Sequence, residues 1–119
     1  MTLQEMVEVI KRRRDFHKVG MIVCHNGVVR ATSRQGHRVK GLKIVVDQVA
    51  VETVVKEMRK RRGIVEVAVH LYEGYREVGE DVMLVAIAGD IREHVLPVLQ
   101  ETIERLKKEA AHKEEFLAD

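Results

Sequence analysis

Residues 64–88, IVEVAVHLYEGYREVGEDVMLVAIA, decide the fold. From Ile64 to Tyr72 the side chains alternate with period two. Ile64, Glu66, Ala68 and His70 fall on one side and Val65, Val67, Val69 and Leu71 on the other, which predicts a half-buried strand. EGYREVGED then reads as a turn, with Gly74 and Gly79 as its flexible points. VMLVAIA, residues 82–88, is apolar throughout, the pattern of a central strand covered on both faces.

Working outward, AVETVVKEMRKRR places Val51, Val54, Val55 and Met58 on one helical face, with Gly63 as the C-terminal stop. LKIVVD, residues 42–47, alternates into another strand. The polar TSRQGHRVKG, residues 32–41, predicts an exposed, mobile loop or hairpin. VGMIVCHNGVVRA, residues 19–31, is a strand with a bulge or bend at Asn26-Gly27. At the N-terminus Thr2 and Glu5 have capping-box spacing, and Leu3, Met6, Val7 and Ile10 recur at helical intervals over residues 3 to 13. Downstream, Asp90 and Glu93 repeat the capping pattern before a last helix whose stripe is Arg92, Leu96, Leu99, Ile103 and Leu106. Pro97, well past the first turn, should kink that helix or mark a second start. The expected order is helix, strand, strand, helix, strand, strand, helix: one α+β domain over residues 1–119.

Composition narrows the function. The 119 residues are 45% hydrophobic and 34% charged, but aromatics are only 3% and Trp is absent, so bases would find few stacking platforms. Twenty-one Lys and Arg against 19 Asp and Glu leave +2, too small a surplus to imply nucleic acid or an anionic membrane. The basic runs Lys11–Arg14 and Arg59–Arg62 read as solvated helix ends, with a nucleic-acid patch as the alternative. No apolar run approaches the roughly 18 residues of a membrane span. A lone Cys24 and the lack of a secretory leader pattern suit a reducing cytoplasm. Cys24 and His25 alternate across a strand and cannot form a catalytic pair, so Cys24 is expected as a small core residue. His70 and His112 lack partners at metal-ligand spacing, so neither a metal nor a cofactor is expected.

Several motifs then fall in one order. GMIVCHNGVVR, residues 20–30, resembles the strand G-A-V-V-T-F-x-G-x-V-R of the molybdopterin synthase large, catalytic subunit family. VAVHLYEGYREVGE, residues 67–80, keeps Gly74, Gly79 and Glu80 of that family's following strand pair. Arg92 matches the arginine of an H-R dipeptide opening the last helix, and LKKEAAHKEE, residues 106–115, resembles the lysine-bearing tail, with Lys107 and Lys113 in the places of its two lysines. The similarity runs over residues 3 to 116. It departs at His25, which replaces an aromatic; at Leu71 and Tyr72; at Ile91, which replaces the dipeptide's histidine; and in a tail without proline or tryptophan.

The resemblance implies an α/β-hammerhead-type fold, a mixed or antiparallel sheet with three helices, and a homodimer. Its implied partner is a small ubiquitin-like sulfur-carrier subunit ending in a Gly-Gly thiocarboxylate. Sulfur would pass from that carrier to cyclic pyranopterin monophosphate, a pterin phosphate substrate, forming molybdopterin in molybdenum cofactor biosynthesis. The alternative is a divergent paralogue that keeps the dimer but only binds a ligand or partner.

Joining two anions requires fixed cations and groups that pass protons. Arginine's planar fork suits phosphate or carboxylate, the role expected of Arg30 and Arg92. Lys107 is the candidate for proton transfer or contact with the reacting carbonyl, and Lys113 for binding thiocarboxylate or phosphate. The basic loop has two readings, solubility or substrate binding; Arg34 and Arg38 are its substrate-binding candidates. Geometry sets a condition: on an unbroken helix six residues advance about 600°, leaving Lys107 and Lys113 roughly 120° apart. The helix must end between them, yet EAAHKEE is a good helix former, and the plain reading of Lys113 is a solvated helical lysine near Glu109.

Overall fold

The computed structural model describes residues 1–118. In chain order it contains α1 (Leu3–Lys11), β1 (Met21–Val28), β2 (Val39–Val46), α2 (Gln48–Arg59), β3 (Ile64–Leu71), β4 (Gly74–Glu77), β5 (Asp81–Gly89), α3 (Arg92–Arg105) and β6 (Ala111–Leu117). A short 3-10 turn, Phe16–Lys18, follows α1, and a single wide π turn, Leu106–Ala110, joins α3 to β6. Two antiparallel three-stranded sheets result, with orders β1-β5-β3 and β4-β2-β6. Three helices and antiparallel sheets make this the expected α+β architecture.

β5 is the hub. Its alternate residues Met83, Val85 and Ile87 enter a core shared with α2, α3 and β2, while Leu84, Ala86 and Ala88 pack under Met6 and Ile10 of α1. The all-apolar run therefore has the meaning its sequence suggested: both faces are covered. α1 begins at the expected capping box, Thr2 and Glu5 each bonding the other's backbone N–H at 3.1 Å. In α2 the Asp47 carboxylate accepts from the Ala50 N–H, and Val51, Val54 and Met58 are buried. Gly63 follows in the left-handed region, φ +77°.

Several expectations need correction. A register shift between Ile64 and Glu66 returns Ile64 to the face of Val67, against the simple alternation. EGYREVGED is not only a turn: Gly74–Glu77 pairs with β2 as β4. Cys24 is exposed, because β1 turns it away from the face that carries Val23 and His25. α3 is capped by Ile91 in extended conformation; Asp90 instead bonds the Ile91 N–H at 2.6 Å and His94 Nδ1 at 2.8 Å. The buried residues of α3 are Val95, Val98 and Thr102; of the expected stripe Leu99 and Ile103 are partly buried against the core and Leu106 is buried in the π turn, whereas Arg92 and Leu96 lie exposed. Pro97 sits within the helix without dividing it, leaving Arg92–Arg105 continuous.

The loop after β1 is an ordered hairpin tip. Thr32 bridges Arg38, the Ser33 N–H donates to the His37 carbonyl, and the Ser33 hydroxyl accepts from the His37 N–H. The basic runs engage acidic partners: Arg13 and Arg59 both pair with Glu66, and Arg61 pairs with Glu101. No helix among the described residues is long and apolar enough to cross a membrane.

Candidate active site

A helix-to-strand switch after Arg105 makes the site. EAAHKEE does not extend α3; the helix widens into the π turn and Ala111–Leu117 becomes β6, paired with β2 from Val46↔Ala111 to Val39↔Leu117. Leu106, wholly buried, and Ala110 anchor the turn, and the Asp47 N–H donates to the Ala110 carbonyl at 2.8 Å. Strand alternation then replaces helical rotation: Ala111, Lys113 and Glu115 share one face of β6, opposite Val46, Ile44 and Leu42 of β2. Lys113 thereby comes to the same cavity as Lys107.

That cavity is an open cleft of about 520 Å³ whose charged lining is Arg30, Arg34, Lys107, Lys113 and Glu115. Arg30 lies just beyond β1, its Nε donating to the Thr32 carbonyl at 2.8 Å. Four cations against one carboxylate give the cleft a positive potential suited to a phosphate or carboxylate. Beneath it, sharing Lys107 and Lys113 as a common wall, is a tight pocket of about 40 Å³ lined by His25 and the apolar side chains of Ile44, Leu71, Val82 and Met83.

The charges act on one another. Desolvation first, then the neighbouring charges of Lys107 and Arg34, hold Lys113 below the ordinary lysine range, with Glu115 acting in the opposite sense. Burial, followed by the charges of Lys107 and Lys113, likewise lowers His25 below the ordinary histidine value.

Of the six candidates chosen from sequence, four line the cleft: Lys107, Lys113, Arg30 and Arg34. Arg38 is not among its lining residues; its backbone carbonyl accepts from the Ala118 N–H at 2.9 Å. Arg92 opens α3 with its side chain 77% exposed, 3.5 Å from Glu93, and does not reach the cleft within one chain. His25, Gln35 and Glu115 also line the two cavities, and none was expected there from the sequence. His25 carried one signal: it alternates onto the same face of β1 as Val23, toward the core. Among the described residues no group of three or more His, Cys, Asp or Glu has metal-binding geometry.

The α+β domain thus gathers four cations over a histidine-bearing pocket, a charge arrangement suited to a small, multiply anionic ligand. The family model described as MoaE protein matches residues 1–109, and the chain belongs to that family. Among solved structures, a molybdopterin biosynthesis MoaE protein from Burkholderia ambifaria superposes with TM-score 0.77 at 22% identity, covering 100% of this chain and 83% of that one. Molybdopterin cofactor biosynthesis protein E from Burkholderia multivorans gives 0.77 at 24%, covering 100% and 84%. The complex of subunits 1 and 2 of the molybdopterin-converting factor from Helicobacter pylori gives 0.73 at 16%, covering 98% and 80%. No curated protein matches the chain by sequence.

Proposed function

We propose that the chain is the large subunit of a molybdopterin synthase, acting in molybdenum cofactor biosynthesis as a sulfurtransferase. Its cleft receives the thiocarboxylated C-terminus of a small ubiquitin-like carrier subunit together with cyclic pyranopterin monophosphate, and sulfur passes from the first to the second. The observation that carries this reading is the convergence of Arg30, Arg34, Lys107 and Lys113 on one cleft, brought about by the helix-to-strand switch between the two lysines. Membership of the MoaE family supports it. So does the relative from Helicobacter pylori, a complex of the factor's two subunits.

In this assignment Arg30 and Arg34 bind substrate phosphate through their planar donors. Lys113 holds the thiocarboxylate, and Lys107, which borders both cavities, faces the reacting carbonyl. Arg92 and Arg38 are assigned to substrate or carrier binding at the margin. We propose a homodimer, a heterotetramer with the carrier, and a cytoplasmic setting in keeping with one free cysteine.

A second reading, a dimeric binding module without turnover, is favoured by Ile91 in the place of the dipeptide's histidine and by Arg92 outside the cleft. One experiment separates the two. The purified protein is mixed with thiocarboxylated carrier and cyclic pyranopterin monophosphate, and dithiolene is assayed. The enzyme reading expects product, with a loss of roughly 100-fold or more for Lys107→Ala. Tight carrier binding without any dithiolene would establish the binding module instead.

A further inference from the structure

One titratable group at the site has no part in the scheme so far. His25 projects from β1 into the small pocket, and among the described residues nothing hydrogen-bonds its ring. The ring lies over Gly27, where a β-carbon would stand 3.2 Å from His25 Nε2, so any larger residue there would crowd that nitrogen. The charged groups facing it are Lys107 from the π turn and Lys113 from β6; Ile44, Leu71 and Met83 face it from β2, β3 and β5 and are apolar. A neutral imidazole between two ammonium groups has a free lone pair and no competing carboxylate.

We propose that His25 is the general base of this site, with Nε2 accepting a proton from the water that releases sulfur from the carrier. The inference rests on the sulfur-transfer reading above. When the thiocarboxylate sulfur bonds to a carbonyl carbon of the pterin substrate, the carbonyl π pair moves onto its oxygen, which takes a proton from solvent, and the carrier's acyl carbon stays attached to the sulfur as a thioester. The water oxygen then bonds to that acyl carbon while one water proton goes to His25 Nε2. The electron pair of the breaking carbon–sulfur bond stays on sulfur, leaving a pterin thiolate. The carrier departs as a carboxylic acid that loses its own proton to solvent. Lys107 and Lys113 offset the negative charge that develops first on the acyl oxygen and then on sulfur. Burial and the same two charges keep His25 neutral, able to accept a proton, below the pH at which a solvated histidine would already be charged.

The test uses the intact protein with thiocarboxylated carrier and cyclic pyranopterin monophosphate, followed in single turnovers from about pH 5 to 9. Wild type should show an acid limb below the ordinary histidine range, near 6.5. His25→Phe keeps a ring in the pocket without a proton acceptor. It should slow turnover roughly 100-fold or more and abolish the limb. The same variant should leave carrier affinity unchanged and accumulate the carrier–pterin thioester, visible by mass spectrometry. His25→Ala should be rescued by added imidazole, which a merely structural role would not allow. If His25→Phe turns over at the wild-type rate with the limb in place, His25 is not the base and sulfur transfer stands. If wild type itself forms no dithiolene, the sulfur-transfer reading falls and the base with it.

Discussion

Lys113, a wall of the cleft, is placed there against the interest of the fold. Its ammonium is partly desolvated and faces Lys107 and Arg34, so its folded pKa lies below that of the unfolded chain. The folded state therefore binds fewer protons than the unfolded one between that depressed value and about 10.4. Stability from this group is present above that window and is lost as pH falls through the folded pKa, so at neutral pH the charged lysine costs stability. Lys113→Met should melt at a higher temperature than wild type at neutral pH, with the gap closing toward about pH 11, while dithiolene formation falls. Thermal melts of both proteins across that range decide it. A lower melting temperature for the variant at neutral pH would show that the charge is locally compensated. The lysines themselves were legible in the sequence through the family tail alone. His25 was not, because a lone histidine in a valine-rich strand gives no chemical signal until the pocket beneath it is assembled.

At the scale of elements, the sequence was readable wherever local pattern and tertiary environment agreed. β5 is apolar because both of its faces are covered, and α1 has its capping box because the helix begins there. β6 is the opposite case. Ala, Lys and Glu favour helix, but the propensity differences amount to only a few tenths of a kcal/mol per residue. The open edge of β2 supplies backbone partners along the length of β6, and that pairing prevails. β4 was missed for a related reason: four residues with two exposed side chains carry too little alternation to read. The switch from α3 to β6 hinges on Leu106, wholly buried at the start of the π turn and next to Lys107. Leu106→Ala should cost about 2–5 kcal/mol in chemical denaturation. Because the turn that aims Lys107 would lose its anchor, turnover should drop further than carrier affinity. A variant as stable as wild type would mean that the turn is held from elsewhere, with the Asp47–Ala110 hydrogen bond as the first suspect.

Taken whole, the molecule is elongated. Its extents are 52 × 24 × 23 Å and its radius of gyration is 15.3 Å, against about 13.5 Å for a compact chain of this length. The two sheets share the core through Leu42 and Ile44, but their protection is unequal. β5 is bonded on both sides and buried over most of its length, whereas β6 is bonded only to β2 and exposes most of its residues. Amide hydrogens of β6 should therefore exchange by local opening well below the global unfolding free energy, and those of β5 only near it. Two of the four cations of the cleft sit on or beside this looser part: Lys113 in β6 and Arg34 in the hairpin tip before β2. Ligand binding should thus tighten one end of the molecule selectively. With inorganic phosphate at about 100 times its dissociation constant, opening that breaks the site is disfavoured by about 2.7 kcal/mol, a slowing of roughly 100-fold. Hydrogen exchange followed residue by residue should show that protection in β6 and the 32–38 hairpin, little change in β5, and its loss as salt screens the cations. Uniform protection of both sheets, or none in β6, would mean that phosphate does not bridge these cations and that the cleft is not held together by its anion.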